Sequence, residues 1–332
     1  MRKLAWIIGL AAVAWCAWWW AATTGMSRGV EGWLGARQAE GWQAEVSDLS
    51  SGGFPLHLRT DLHDLALADP AAGLAIQTDR LQIAAPAWWP GDATVTLADT
   101  PILLASPLGQ SELTMQDGVM ALNLHPGTAL ELEALGWTAG PWQVSDPAGV
   151  QAAATALTLT MTQTDGATYD LRADAPGFSP GDAARRAVRL PDGFPRAFDS
   201  LQATATVTFD TPWDRRALDQ RRPQLRAIAL HLAEAKWGDL SLNFAADLTV
   251  DASGIPDGTM SIQADNWRTM LDLAQASGLL PTQLRGQADN ILQALAGASG
   301  NPDTLDVDLT VRGGAILLGF IPVASAPRLI LR

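Results

Sequence analysis

The sequence predicts a mostly β protein of the α+β kind, with an elongated antiparallel β-sheet body and a few covering helices behind one amino-terminal transmembrane helix. Three observations carry this expectation. One long apolar run opens the chain, alternation of apolar and polar residues recurs through the rest, and tight-turn dipeptides separate the alternating runs. At 332 residues the chain exceeds an ordinary single domain. The expected division is an anchor over residues 1–24 and two β-rich halves over 25–180 and 181–332.

The anchor is the clearest element. After Arg2 and Lys3, residues 4–22 carry no charge. As a helix this run is roughly 29 Å long, close to the hydrocarbon thickness of a bilayer. Leu4, Ile8, Leu10, Val13, Trp18 and Trp20 are expected within the span, with Trp18, Trp19 and Trp20 at its outer interface. The two leading basic residues keep the amino terminus in the cytoplasm and send the rest across. Trp20 ahead of Ala21 and Ala22 makes a poor cleavage site, so the anchor is expected to stay. Cys16 follows Trp15 and reads as a small residue of the span rather than a lipid attachment point. It is the chain's one cysteine, which excludes an intramolecular disulfide.

A helical pattern continues over residues 25–42, with Val30, Trp33 and Leu34 on one side and several glycines weakening it. Period-two alternation then takes over. It appears at 56–63, 74–83, 93–97, 156–162, 201–209, 240–250 and 305–311. Asp117-Gly118, Asp165-Gly166, Asp257-Gly258 and Gly313-Gly314 are the expected turns. Short helices are expected at 180–188 and 213–222, and a helix pair near 266–296, with Asp265 or Asn266 capping its first member. Gly53-Phe54-Pro55 and Gly193-Phe194-Pro195 each precede alternating strands, a faint sign of duplication.

The sequence carries no phosphate-binding loop, nucleotide-binding glycine fingerprint, HExxH or GxSxG. The expectation is a protein that is not an enzyme and has no cofactor and no metal. His57, Arg59, Asp61 and His63 share the polar side of one strand. The reading given to them is a solvated, ion-paired face, with Leu56, Leu58 and Leu62 turned inward. Arginines and aspartates crowd residues 182–226 and read as a salt-bridged surface. A net charge of −13 argues against a nucleic-acid partner. Tryptophan is abundant, at 14 against one tyrosine, so boundary roles become a question. Trp33, Trp42, Trp88 and Trp89 are the candidates for lipid or interface contact, the last two lying between Pro86 and Pro90.

The anchor, the following Trp-bearing helix, the Gly41-Trp42 and Gly53-Phe54-Pro55 junction and the alternating strands together resemble a membrane-anchored bacterial family known as domain of unknown function 2125. The stretch Asp306-Val307-Asp308-Leu309-Thr310-Val311-Arg312-Gly313-Gly314, followed by Gly319-Phe320-Ile321-Pro322 and Ala326-Pro327, looks more weakly like the ends of AsmA-like and TamB-like envelope proteins. These resemblances imply a single-pass protein of the bacterial inner membrane with its body in the periplasm. The anchor, the apolar-lined strands and the lack of a catalytic constellation lead to the expectation of a noncatalytic role in lipid binding or envelope maintenance. The implied partners are the inner membrane, lipid or acyl chains, and another envelope protein. The alternative reading is a structural scaffold or interaction module that holds no ligand.

Overall fold

The computed structural model describes residues 2–190, 193–219, 221–299 and 301–331. Helix α1 (Arg2–Ala39) runs unbroken through the expected anchor boundary and takes in most of the second helical stretch. It is long and apolar enough to cross a membrane. A ladder of antiparallel strands follows. The first are β1 (Gln43–Glu45), β2 (Asp48–Gly52), β3 (His57–Asp69), β4 (Leu74–Pro86), β5 (Asp92–Leu97), β6 (Ile102–Ser106), β7 (Gly109–Met115) and β8 (Val119–Leu124). Next come β9 (Leu132–Ala139), β10 (Trp142–Asp146), β11 (Gly149–Ala154), β12 (Leu157–Asp165), β13 (Thr168–Asp174) and β14 (Ser179–Pro180). After α2 (Asp182–Ala187) stand β15 (Ser200–Phe209), α3 (Arg216–Asp219), β16 (Leu225–Trp237), β17 (Leu240–Val250) and β18 (Pro256–Asp265). Helices α4 (Trp267–Ala276) and α5 (Arg285–Ser299), then β19 (Thr304–Arg312), β20 (Ala315–Leu318) and β21 (Ile321–Ser325), complete the body.

The pairing forks at β4. Its later half pairs with β5, and its first half pairs with β6. The long arm runs β3, β4, β5, β8, β9, β12, β13, β15, β16, β17, β18, β19. Strands β20 and β21 extend it. The short arm runs β6, β7, β10, β11, β14. Pairing of β13 with β15 carries the ladder across residue 180 without a break.

Each register preserves the alternation, so one side of the long arm is apolar from end to end. Leu81 and Ile83 pass to Leu97 and Val95, then to Met120, Trp137 and Leu159. The same side continues through Ala173, Ala203, Ala233 and Phe244 to Ile262 and Val307. Four packed clusters close parts of this face. Leu34 of α1 packs with Leu62 and Leu65 at its start. Ile102 and Met115 of the short arm pack on Ala139, Trp137 and Leu157. Tyr169, Val207 and Phe209 are closed by Trp213 and Leu331. At the far end Trp267 and Ala296 of the helix pair cover Ala264, Leu305 and Val307.

Several expectations are corrected. Asp257-Gly258 lies inside β18, not in a turn, because Gly258 sits so close to β17 that a Cβ would fall 2.1 Å from the Asp247 carbonyl oxygen. Gly313 and Gly314, at φ 57° and 79°, do form a tight hairpin turn between β19 and β20. The helix expected over 213–222 shrinks to α3 because Trp213 is drawn into the core. Its ring packs edge-on to Phe209 at 5.5 Å and its backbone N–H donates to the buried Tyr169 hydroxyl at 3.0 Å. Asn266 precedes α4 in a left-handed conformation, and its side chain bonds the Asp239 carbonyl instead of capping. Leu56, expected inside, is 53% exposed because β3 starts one residue later. Asp61, expected on the wet face, is buried.

Two stability outcomes follow from the core. Tyr169 is fully buried, and burial pushes its phenol pKa up. Tyr169→Phe leaves the Trp213 N–H without its acceptor and should lower unfolding free energy by about 1–3 kcal/mol, measured by chemical denaturation of the full chain in detergent. Leu58 is also fully buried. Leu58→Ala should cost about 2–5 kcal/mol in the same assay, with a value near zero showing that the site is not packed.

Candidate functional site

Among the described residues, nothing covers the middle of the apolar face. Between the short arm and the helix pair, the strands β8 to β17 floor two adjoining hollows of about 450 and 310 Å3. Leu159, Ala173 and Ala203 line both. Met120, Leu135 and Trp137 stand at one end, Leu242 and Phe244 at the other. The depth comes from the sequence. Alanines at 173, 203, 205, 233 and 235 fall at paired inward positions on β13, β15 and β16, so the floor is low where neighbouring strands carry Leu, Met or Phe. The exposed walls are almost wholly apolar; Arg172, Asp174, Gln202 and Glu234 occupy the alternate positions, which belong to the polar reverse of the sheet.

The reverse of the same strands is polar. Thr206 donates to Asp170 at 2.7 Å and meets His231 at 2.8 Å, and Thr168 meets Thr208 at 3.1 Å. Beyond the short-arm cluster lies another hollow on the apolar side, of about 530 Å3, lined by Trp42, Leu67, Leu74, Ile76, Leu104 and Val144.

Charged groups form ion pairs away from the hollows. Asp61 accepts from Arg80 at 2.7 Å and Gln82 at 2.8 Å, with Arg59 at 3.1 Å. Burial raises its pKa, but the hydrogen bonds and the two guanidinium charges outweigh burial and hold it below the usual carboxylate value. Asp210 behaves likewise between Arg221 and Arg226, with the Gln224 backbone N–H also donating to it. In the arginine-rich stretch, Arg185 donates to the Phe194 and Pro195 carbonyls, Arg196 pairs with Asp182, and Arg216 with Asp214. His57 and His63 flank Asp61 on β3. Among the described residues, no three of His, Cys, Asp and Glu gather as metal ligands.

The tryptophans singled out by sequence divide by position. Trp33 and Trp42 both lie against the Arg37 guanidinium, 5.9 and 5.8 Å from it. Trp89 folds over Gly91, while Trp88 is 61% exposed. Leu4, Ile8, Leu10, Val13, Trp18 and Trp20 are exposed along α1. Alternation marks Leu201, Ala203, Ala205, Leu242 and Phe244 as the apolar side of their strands but not whether anything covers it. Ala173, Ala203 and Ala233 also lack the bulk that draws attention to a core.

These features define, among the described residues, a β-rich protein with one helix of membrane-spanning length and a one-sided, partly uncovered sheet. The chain belongs to the family described as "Uncharacterized protein conserved in bacteria (DUF2125)", which it matches over residues 18–327. No curated protein matches it.

The Asp61 pair has a defined pH signature. Its folded pKa is depressed, so its contribution is complete above the unfolded value of about 3.9 and is lost as pH falls through the folded value. Asp61→Asn should therefore lower the denaturation midpoint at pH 7, and the gap from wild type should narrow below about pH 4. A gap unchanged with pH would show that the carboxylate charge contributes nothing.

Proposed function

We propose that this protein is a noncatalytic, single-pass inner-membrane protein whose body lies in the periplasm and holds the acyl chains of a membrane lipid in the uncovered hollow of its sheet. One observation carries the reading: the apolar face that seats α1 at β3 and β4 continues, without a polar row, into open hollows over β8 to β17. An apolar, concave, uncovered surface of this kind suits a ligand with little polarity of its own. Six strand spacings separate β8 from β17, roughly 29 Å of floor. A bilayer leaflet's hydrocarbon is about 15 Å thick, so the floor accommodates an acyl chain laid along it. Continuity with the anchor favours a lipid over an apolar peptide. The basic residues ahead of the span support the orientation.

The test is lipid occupancy. Full-length protein extracted in mild detergent should carry phospholipid detectable by native mass spectrometry. Ala203→Trp and Ala173→Trp fill the hollow from its floor and should reduce that occupancy at least fivefold, and crosslinking to a photoactivatable fatty acid should fall in parallel. Equal lipid on wild type and both folded variants would refute the hollow as the site and leave the scaffold reading in its place.

A further inference from the structure

We infer that the end of the body beside α1 is itself a membrane-binding surface, with the turns at residues 53–57 and 87–90 seated in the lipid leaflet on the body's side. The inference rests on α1 being the membrane span, and its occupant is the bilayer that α1 crosses.

Three tryptophans of the span tie the helix to these turns. Trp15 donates its indole N–H to the Pro55 carbonyl at 2.9 Å, Trp18 to the Ala87 carbonyl at 2.9 Å, and Trp19 to the His57 carbonyl at 2.7 Å. The Trp19 ring also meets Phe54 edge-on at 5.3 Å. These contacts fix the depth of the turns relative to the helix. The apolar run continues to Ala22, and Thr23 is the first hydroxyl-bearing residue after it. Trp19 lies about 5 Å below that end and Trp15 about 10 Å below it, at 1.5 Å per residue. Interfacial apolar groups enter a leaflet to about 5–10 Å. A helix that spans the membrane therefore brings both turns down with it.

The turns are built for that depth. Neither residues 53–57 nor 85–91 contain Asp, Glu, Lys or Arg. Phe54, Leu56 and Trp88 are more than half exposed, as is Trp20 of the helix. In water this cluster leaves large apolar side chains more than half exposed. In the interfacial belt, indole and phenyl rings find the environment that favours them. The local polar backbone is already satisfied where it matters: the carbonyls of Pro55, His57 and Ala87 accept from the indoles, and the Ala87 N–H donates to the Leu56 carbonyl at 2.8 Å.

The test uses full-length protein in nanodiscs of phosphatidylethanolamine and phosphatidylglycerol containing a fraction of acyl-chain doxyl phospholipid. Single cysteines replace Leu56, Trp88, Val13 or Leu108 in a Cys16→Ala background and carry a bimane fluorophore. Leu108 is fully exposed in the turn after β6, which pairs with β4 at the end away from Pro86. Labels at Leu56→Cys and Trp88→Cys should be quenched at least threefold more than at Leu108→Cys and approach the quenching at Val13→Cys. Quenching at Val13→Cys, with the turn positions no different from Leu108→Cys, would overturn the inference while leaving the span intact. Absence of quenching at Val13→Cys would overturn both.

Discussion

In an antiparallel ladder, the side on which a residue lies is decided by its partner's side. Every pairing hands the two-residue alternation to the next strand, and a slip of one residue anywhere would reverse every side chain beyond it. This constraint governs the whole body. Leu81 on β4 and Val307 on β19 lie on the same face only because each intervening register keeps phase. Where an extra residue enters, the phase has to be restored at once. On β16, Leu230 pairs with Ala246 and Ala233 with Phe244, so the residues between absorb the irregularity. Without that bulge the floor of the hollow would change from alanines to Leu232, Glu234 and Lys236.

The same bulge explains part of what the sequence concealed. Residues 225–237 alternate in one phase, then in the other, and their alanines and charged residues blur the strand signal. Strands without such an interruption, such as 240–250 and 305–311, were plain from alternation alone. The apolar anchor was plainer still, since nothing except length and absence of charge was needed. The burial of Asp61 was not legible. Its partners Arg80 and Gln82 are on β4, and only the pairing of β3 with β4 brings them together. Nor could Trp213 be placed, because the hydroxyl that fixes it belongs to Tyr169, two strands' worth of chain earlier.

Helix α1 joins two roles that are usually separate. Its first part has the composition of a bilayer span, and its later part packs Leu34 against the sheet as any covering helix would. No flexible linker intervenes between them, because the helix is continuous. The indole bonds from Trp15, Trp18 and Trp19 add a further tie at the middle of the helix. The body is consequently held at a set angle to the apolar first part of the helix, instead of hanging from a tether.

Such a rigid mount gives meaning to the handedness of the sheet. Strands in a sheet rotate by roughly 20° from one neighbour to the next. Over the long arm from β3 to β19 this sums to more than half a turn, on the order of 200°. At that average twist the apolar surface would wind as a helical ramp around the body's long axis. A chain lying on it would leave the neighbourhood of α1 facing one way and arrive near α4 and α5 facing almost the opposite way. The direction in which its polar end points would then depend on how far along the ramp it has travelled.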